Sequence, residues 1–514
     1  MNTNYKRGFL VNPIQRINKQ QIHSIHEASL SILDDPGITC FNEHAASLLN
    51  DAGCQVKSEN SNKNSWKIRF PSKVVLEAVE SIPREIILGA RKPENRLILN
   101  TDVPKVYFGT GSETNIYQKT LLSQYVKKDD PSNVIYKPEY IEERGSIKKL
   151  CQSSKLCNTL QNVDFFIRNI NIQDKEINPD NKDVNIFFAS LMYMTKHVQA
   201  GLVTLEHLDD VLKLAGIIAG GEKKLKENPI ISFITCLIKS PLQMVNDTAE
   251  KLITIAQKGI PVVISSSPQG GSTAPIKEEG MVTLINAEIL AGITLGQIVN
   301  HGFPMLYGAV PVRARLDTLH DLYGAPEFIH YNINCIQMAK HYGIPCYSSA
   351  GVGDAKVPGV QATVEKLFAQ TEVAAAGAQY IHYAVGLLDK TNIFSPLQAV
   401  LDDAHLNIIK QVLRQPCFNK KEVENAIQEI RQVTSSKTKL FAKHIRKALR
   451  EGLVSSPYPF ETSDEEDKVL EKAYHHLQNL LKTPGEKLDD DLIKNIYKEI
   501  PGLLPREYFE INNI

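Results

Sequence analysis

Between residues 261 and 310 the chain reads PVVISSSPQGGSTAPIKEEGMVTLINAEILAGITLGQIVNHGFPMLYGAV. A short β-branched run (261–266) enters a loop of small residues with paired glycines. A long apolar-periodic segment (281–299) follows, and a second short apolar run (305–310) closes the unit. Two such runs flanking a helix-period stretch make a β-α-β unit. The alternation continues through most of the chain. Apolar runs recur at 106–109, 163–166, 198–202, 231–238, 261–266, 305–310, 346–350 and 380–385, with starts 30 to 57 residues apart. Helix patterns fill the intervals at 138–156, 185–194, 205–219, 243–257, 281–299, 325–341 and 361–375, and a last one follows at 396–413. Crossovers of this length predict parallel strands, and eight of them predict an α/β chain closed into a (β/α)8 TIM barrel. The units share no residue pattern, so the repetition is architectural.

The flanks read differently. Residues 1–105 carry amphipathic helix patterns at 20–34, 42–52 and 72–81, with short strand pieces at 66–70, 86–90 and 97–99. Residues 415–514 are charged helical segments suited to a cap or an oligomer surface. The expected division is therefore an N-terminal, mostly helical extension (1–105), a catalytic barrel (106–414) and a C-terminal helical cap (415–514). Lysine plus arginine and aspartate plus glutamate each number 58, so net charge gives no reason to expect nucleic acid or a membrane as partner. The eight cysteines are scattered without a CxxC, which fits a reduced cytoplasmic setting. Cys236 and Cys346 lie inside apolar runs and read as small hydrophobes. The N-terminus lacks a signal-peptide apolar core, and no uninterrupted apolar run reaches the ~18 residues of a membrane span. The expectation is a cytoplasmic protein.

In such a barrel the chemistry sits at the C-terminal ends of the strands. The loops expected there contain Gly111 and Ser112, then Gln269, Gly270, Gly271 and Ser272, and then Gly353, Asp354 and Lys356. The Gly270-Gly271 pair would suit a phosphate at a helix start, but it lacks the GxxxxGK[ST] spacing and its lysine. Lys356 in a dry pocket would suit Schiff-base chemistry; solvated, or paired with Asp354, it would not. HExxH, zinc-spaced Cys/His clusters and a GxSxG elbow are all missing, so no bound metal and no serine nucleophile are expected. Aromatic residues remain. Tyr107, Tyr307, Tyr347 and Tyr383 lie on the proposed strands, and Tyr117 and Phe394 follow mouth loops. Strand side chains alternate in and out, so about half of these rings should pack against helices. An aromatic lining without a strong nucleophile suits a ligand cation held over ring faces.

The segments SSSPQGGSTAPI, INAEILAGITLGQIVNHGFPMLYG, YGAPEF, GVGDAKVPGVQATVEK, GAQYIHYAVGLLD and VLDD together resemble the trimethylamine:corrinoid methyltransferase (MttB-type) superfamily. IHEASLSILDDPGITC, AASLLNDAGCQV and IRFPSKVVLEAVESIP in the preamble are similar to its N-terminal region, so the likeness covers most of the chain. The trimethylamine enzymes of the superfamily carry pyrrolysine in the barrel, near the loop corresponding to residues 353–361. Only standard residues stand there in this sequence. It therefore resembles the non-pyrrolysine branch typified by glycine betaine methyltransferase. That likeness implies methyl transfer from a quaternary trimethylammonium amine to the cobalt(I) of a corrinoid (cobalamin) carried by a cognate partner protein. It implies no metal held by this chain itself, and a homo-oligomer is expected.

The chemistry makes a plain pocket intelligible. Cobalt(I) is a strong nucleophile and needs no general base, while a quaternary ammonium leaves as a neutral amine and needs no general acid. Alignment is what an enzyme adds, and positioning can supply ~7–11 kcal/mol. Aromatic faces grip a cation by ~0.5–2 kcal/mol each, without overbinding a charge that fades along the reaction. The substrate-binding set read from strand ends is Tyr107, Glu113, Arg168, Tyr307, Arg313, Tyr347, Tyr383 and Phe394. Arg313 is the first choice for a betaine carboxylate. Arg315 and Arg168 are alternatives, unless they pair with Asp317 or Glu113 on the rim. A Schiff-base lyase using Lys356 and a non-catalytic quaternary-amine-binding barrel are the competing readings.

Overall fold

The computed structural model describes residues 7–511 except 61–62, 112, 128–129, 416–417, 439, 451–456 and 463–467. At its centre is a curled nine-stranded sheet, part of a mixed α/β chain. Eight strands run parallel: β1 (Lys105–Phe108), β2 (Phe165–Ile167), β3 (His197–Ala200), β4 (Ile231–Thr235), β5 (Val262–Ser266), β6 (Met305–Ala309), β7 (Cys346–Ser349) and β8 (Tyr380–His382). The ninth, Phe9–Leu10, pairs antiparallel with β1. A parallel bridge between Gly109 and Phe165 joins β1 to β2. The connecting helices are α1 (Ile147–Thr159), α2 (Pro179–Tyr193), α3 (Leu208–Ala219), α4 (Asn246–Lys258), α5 (Glu278–Val299), α6 (Pro326–Tyr342), α7 (Val360–Ala375) and α8 (Pro396–Val412).

Side-chain alternation sorts these strands into two cores. One holds Tyr107, Phe165, Ile167, Val263, Leu306, Tyr347 and Tyr380, with Ile234 and Val310 against it; these point into the sheet's hollow. The other holds the opposite faces, among them Phe108, Phe166, Val198, Phe233, Ile264, Tyr307 and Ile381, packed on the helices. The floor of the hollow is plugged. A hairpin of Glu85–Leu88 and Leu97–Asn100 inserts Ile86, Leu88, Leu97 and Leu99 into the inner cluster. Tyr107 seals it, its hydroxyl donating to the Ile98 carbonyl (3.1 Å) and accepting from the Ile98 amide (3.2 Å). Access is thus from the strands' C-terminal ends.

Two expectations need correction. Residues 138–144 are strand, not the start of a helix: Ile116–Lys127 and Asp130–Arg144 form a long antiparallel hairpin, and α1 begins at Ile147 behind its Ser146 cap. Glu139, Glu142 and Glu143 of that stretch, spaced three and four apart, imitate a solvated helix face, and cross-strand pairing overrides it. The preamble also carries more strand than expected. Ile38–Cys40, Gln55–Asn60 and Lys63–Arg69 pair in one sheet, alongside helices Lys19–Asp34, Glu43–Asp51 and Ser72–Glu80. α5 is long and apolar enough to cross a membrane by length and composition, but 89% of its apolar window is buried inside the fold. Towards the C-terminus, Val469–Lys482 packs on α8 and Asp490–Glu499 on α3. Helix Lys420–Thr434 buries only Val433 among its residues, leaving Val423, Ile427 and Ile430 exposed.

Candidate active site

Small residues at several inward positions of the upper hollow make room for large rings. Gly109 admits the Phe165 ring, which a Cβ would meet at 2.2 Å, and Gly111 likewise admits Tyr383 at 2.6 Å. Aromatic rings fill the space so made. Phe165 stacks on Tyr380 at 3.6 Å, and Tyr380 lies 5.7 Å from Tyr347. Tyr347 in turn stacks on His382 at 4.2 Å, and His382 meets Tyr383 at 3.7 Å. The column runs from the plugged floor to the mouth. Tyr383 has φ +67°, a left-handed backbone that a bulky residue rarely adopts, and the strain marks a constrained position.

Around the top of this column stand residues that sequence reading did not select. Tyr323, in the loop after β6, is 7% exposed, with its hydroxyl 3.5 Å from Asp321. Asp321 also accepts from Gln269 Nε2 at 2.8 Å. Burial, then neighbouring Tyr383 and Asp321, push the Tyr323 phenol well up; burial, then Cys236 and Asp321, push Tyr383 up. Tyr323 and Tyr383 therefore stay neutral, and both lie near the Asp321 carboxylate. Cys236 is exposed, not packed as a small hydrophobe, with Sγ 2.9 Å from Ser265 Oγ. Cys346, in contrast, is buried. Ser349 Oγ lies 2.6 Å from His382 Nε2, and burial holds that imidazole well below its usual pKa, so it is neutral. Lower down, Gln199 is fully buried, its amide nitrogen donating to Ser232 at 3.1 Å. Apart from Lys105 at the N-terminal end of β1, whose ammonium lies over the Tyr107 ring at the floor, the inward positions of the eight strands carry no lysine, arginine, aspartate or glutamate.

Of the residues singled out from sequence, Tyr347 and Tyr383 come together in this pocket. Tyr107 is inward but lies at the floor plug. Tyr307 faces outward, its hydroxyl donating to Asn286 of α5 at 3.0 Å. Phe394 is buried against Tyr117 at 6.2 Å, beneath the hairpin sheet. Arg313 is a Cα partner of Gly270, whose missing Cβ would point at Tyr331 of α6; its guanidinium accordingly reaches Glu327 of α6 at 3.8 Å rather than the hollow. Arg315 is exposed and paired with Asp317 at 3.2 Å. Arg168 is paired with Glu113 at 2.6 Å, and Glu113 also with Lys182 at 3.4 Å, so both sit on the rim beside α2.

The loop glycines serve the loops. Gly271 has φ +90°, and its amide donates to the Ala274 carbonyl while those of Ser272, Thr273 and Ala274 converge on the Gln269 carbonyl. With these amides committed internally, the turn offers no phosphate cradle. Gly353 is buried against Glu365. Asp354 clips the neighbouring loop by accepting from Tyr323 N (3.2 Å) and Gly324 N (2.8 Å), not from Lys356, which is exposed. An exposed lysine lacks the desolvation that Schiff-base chemistry needs. Ser112 lies outside the described residues.

The trimethylamine methyltransferase (MTTB) family model matches residues 6–115 and 135–483. Trimethylamine methyltransferase MttB of Desulfitobacterium hafniense is 28% identical over 395 residues, covering 77% of this chain and 74% of that protein. The MttB of Methanosarcina barkeri is 27% identical over 399 residues, with 77% and 75% covered. Glycine betaine methyltransferase of Desulfitobacterium hafniense is 25% identical over 450 residues, with 86% and 85% covered. Among solved structures, N-acetylneuraminate lyase from Mycoplasma synoviae aligns at 11% identity with a TM-score of only 0.26, covering 73% of this chain and 97% of that one, too slight a likeness to argue from. Matched over most of its length by one family model, and similar to curated trimethylamine and glycine betaine methyltransferases, the chain belongs to the trimethylamine methyltransferase (MttB) family and is a methyltransferase.

Proposed function

We propose that the protein moves a methyl group from a quaternary trimethylammonium compound to a reduced corrinoid carried by a separate protein. The observation that carries this reading is a cluster of neutral tyrosines, Tyr323, Tyr347 and Tyr383, with the carboxylates of Asp321 and Asp354 beside Tyr323 at its rim. Ring faces and carboxylates at the rim attract a cation that cannot donate a hydrogen bond. The charge-free walls below would exclude water and align the C–N bond with the mouth. The corrinoid would supply the nucleophile; this chain supplies orientation and a moderate grip on the leaving amine. Glycine betaine remains one member of this substrate class, but its carboxylate has no help from Arg313, which is turned to α6.

The same reading takes the curled sheet as a closed (β/α)8 barrel with divisions near residues 105 and 414. In support, the strand registers and the Gly109–Phe165 bridge add up to a stagger of eight residues around the ring, the value of that barrel class. The exposed stripe Val423, Ile427 and Ile430 favours a homo-oligomer, and free cysteines such as Cys40, Cys54 and Cys236 favour the reduced cytoplasm. Calorimetry with choline and its neutral carbon analogue 3,3-dimethylbutanol tests the pocket. Choline should bind at least about tenfold tighter, the effect of one or two cation–π contacts. Equal binding would refute it.

A further inference from the structure

Resting on the quaternary-amine reading, we infer that the tail of the substrate carries a hydrogen-bond donor, a hydroxyl or amide, rather than a carboxylate, and that Gln199 selects it. Gln199 points inward: its Cα partners are Ile167, in the inner cluster, and Ser232. Its Oε1 is buried without a partner. Ordinarily an amide in such a place could turn over and offer its NH2 instead. Here a relay of protons prevents that.

His197 Nδ1 lies 2.8 Å from the Gly89 carbonyl, which can only accept, so Nδ1 carries the proton. Burial drops the His197 pKa to about 4, so the ring is neutral and Nε2 is a bare acceptor. Ser232 Oγ, 2.7 Å from Nε2, must spend its hydrogen there. Its lone pairs then face Gln199 Nε2 at 3.1 Å, and only an N–H can stand opposite them. Turning the amide would set two acceptors against each other in a dry interior, a penalty of about 1–3 kcal/mol. Gln199 therefore shows the pocket an acceptor.

Neighbouring hydroxyls do not compensate. Ser265 donates to the Thr235 carbonyl at 3.2 Å, and Ser349 is taken up by His382 at 2.6 Å. The Tyr380 hydroxyl, also unpartnered, can donate or accept and discriminates neither way. With no cation on the inward positions above the floor plug, where Lys105 lies against Tyr107, a carboxylate tail would meet an acceptor and lose its water.

Choline and glycine betaine make the test, because they share a trimethylammonium head and differ at the tail. By calorimetry the full chain should bind choline at least about tenfold tighter than glycine betaine, the worth of one well-made hydrogen bond. Gln199→Leu should erase that ratio. Ser232→Ala, which frees the amide to turn, should shift it towards betaine. Tetramethylammonium, which has no tail, should bind all three proteins alike. Betaine binding as tightly as choline to the unaltered protein, or a ratio unmoved in both variants, would overturn the inference while leaving the quaternary-amine reading intact. Failure of tetramethylammonium to bind at all would bring down that reading and the inference with it.

Discussion

Lys366 on α7 and Asp402 on α8 form an ion pair at 3.2 Å with neither side chain exposed. Lys366 Nζ also donates to the carbonyls of Gly351 and Leu387, the latter at 3.0 Å. Asp402 accepts from the Gly386 amide at 2.7 Å and from Gln398 at 2.9 Å. The pair thus fastens the loops after β7 and β8 to one another, and Tyr383 stands at the start of the second loop. Burial lowers the Lys366 pKa, with Asp402 working against that shift. Lys366→Met leaves a dry carboxylate with two donors and strips two carbonyls of theirs. Removing one partner of a buried pair costs ~3–5 kcal/mol, and Asp402→Leu should lose a similar amount. The double variant Lys366→Met/Asp402→Leu removes both charges, so its loss should fall short of the sum by about 3 kcal/mol. Urea unfolding of the four proteins, completed as a double-mutant cycle, gives the coupling directly. Single losses below about 1 kcal/mol, or an additive double variant, would refute the fastening role.

Three further outcomes follow from the geometry. Tyr383→Ala and Tyr323→Ala should each weaken tetramethylammonium binding by ~0.5–2 kcal/mol in calorimetry, whereas Tyr307→Phe, altering a ring on the helix side, should leave it unchanged. Lys356→Ala should keep activity, and borohydride should trap no adduct on the unaltered protein, since this lysine is solvated. For pH, unfolded His197 takes up a proton below about 6.5, while the folded ring stays neutral down to about 4. The unfolded state then binds more protons, so stability falls as pH drops through that window, by about 3 kcal/mol from this group. His197→Gln should flatten the slope of unfolding free energy between those pH values.

The architecture was legible because strand–helix alternation is a local pattern: all eight expected apolar runs became strands within a few residues of their limits. The long hairpin at 116–144 was not, because its charged residues read equally well as a helix face. The site was half legible. Tyr347 and Tyr383 could be named from their place on strands, but strand parity, set by register, decides which rings face inward, and it sent Tyr307 to Asn286 and Tyr107 to the floor plug. Tyr323 and Asp321 escaped notice because a loop carries no periodicity. The family motifs acquire physical reasons in the fold. Lys366 of QATVEK meets Asp402 of VLDD, and Glu288 of INAEILAG accepts from Ser240 (2.7 Å), Ser266 (2.5 Å) and the Leu242 amide (2.9 Å).

The most direct measurement follows the methyl group itself. A trimethylammonium compound labelled with carbon-13 in its N-methyl groups is incubated with the protein and a reduced corrinoid protein, and mass spectrometry reads both products. The expected result is one labelled methyl on the corrinoid for each dimethylamino product formed, with none from trimethylamine offered alone. Label that never leaves the quaternary amine, or that reaches the corrinoid only from trimethylamine, would contradict the central claim.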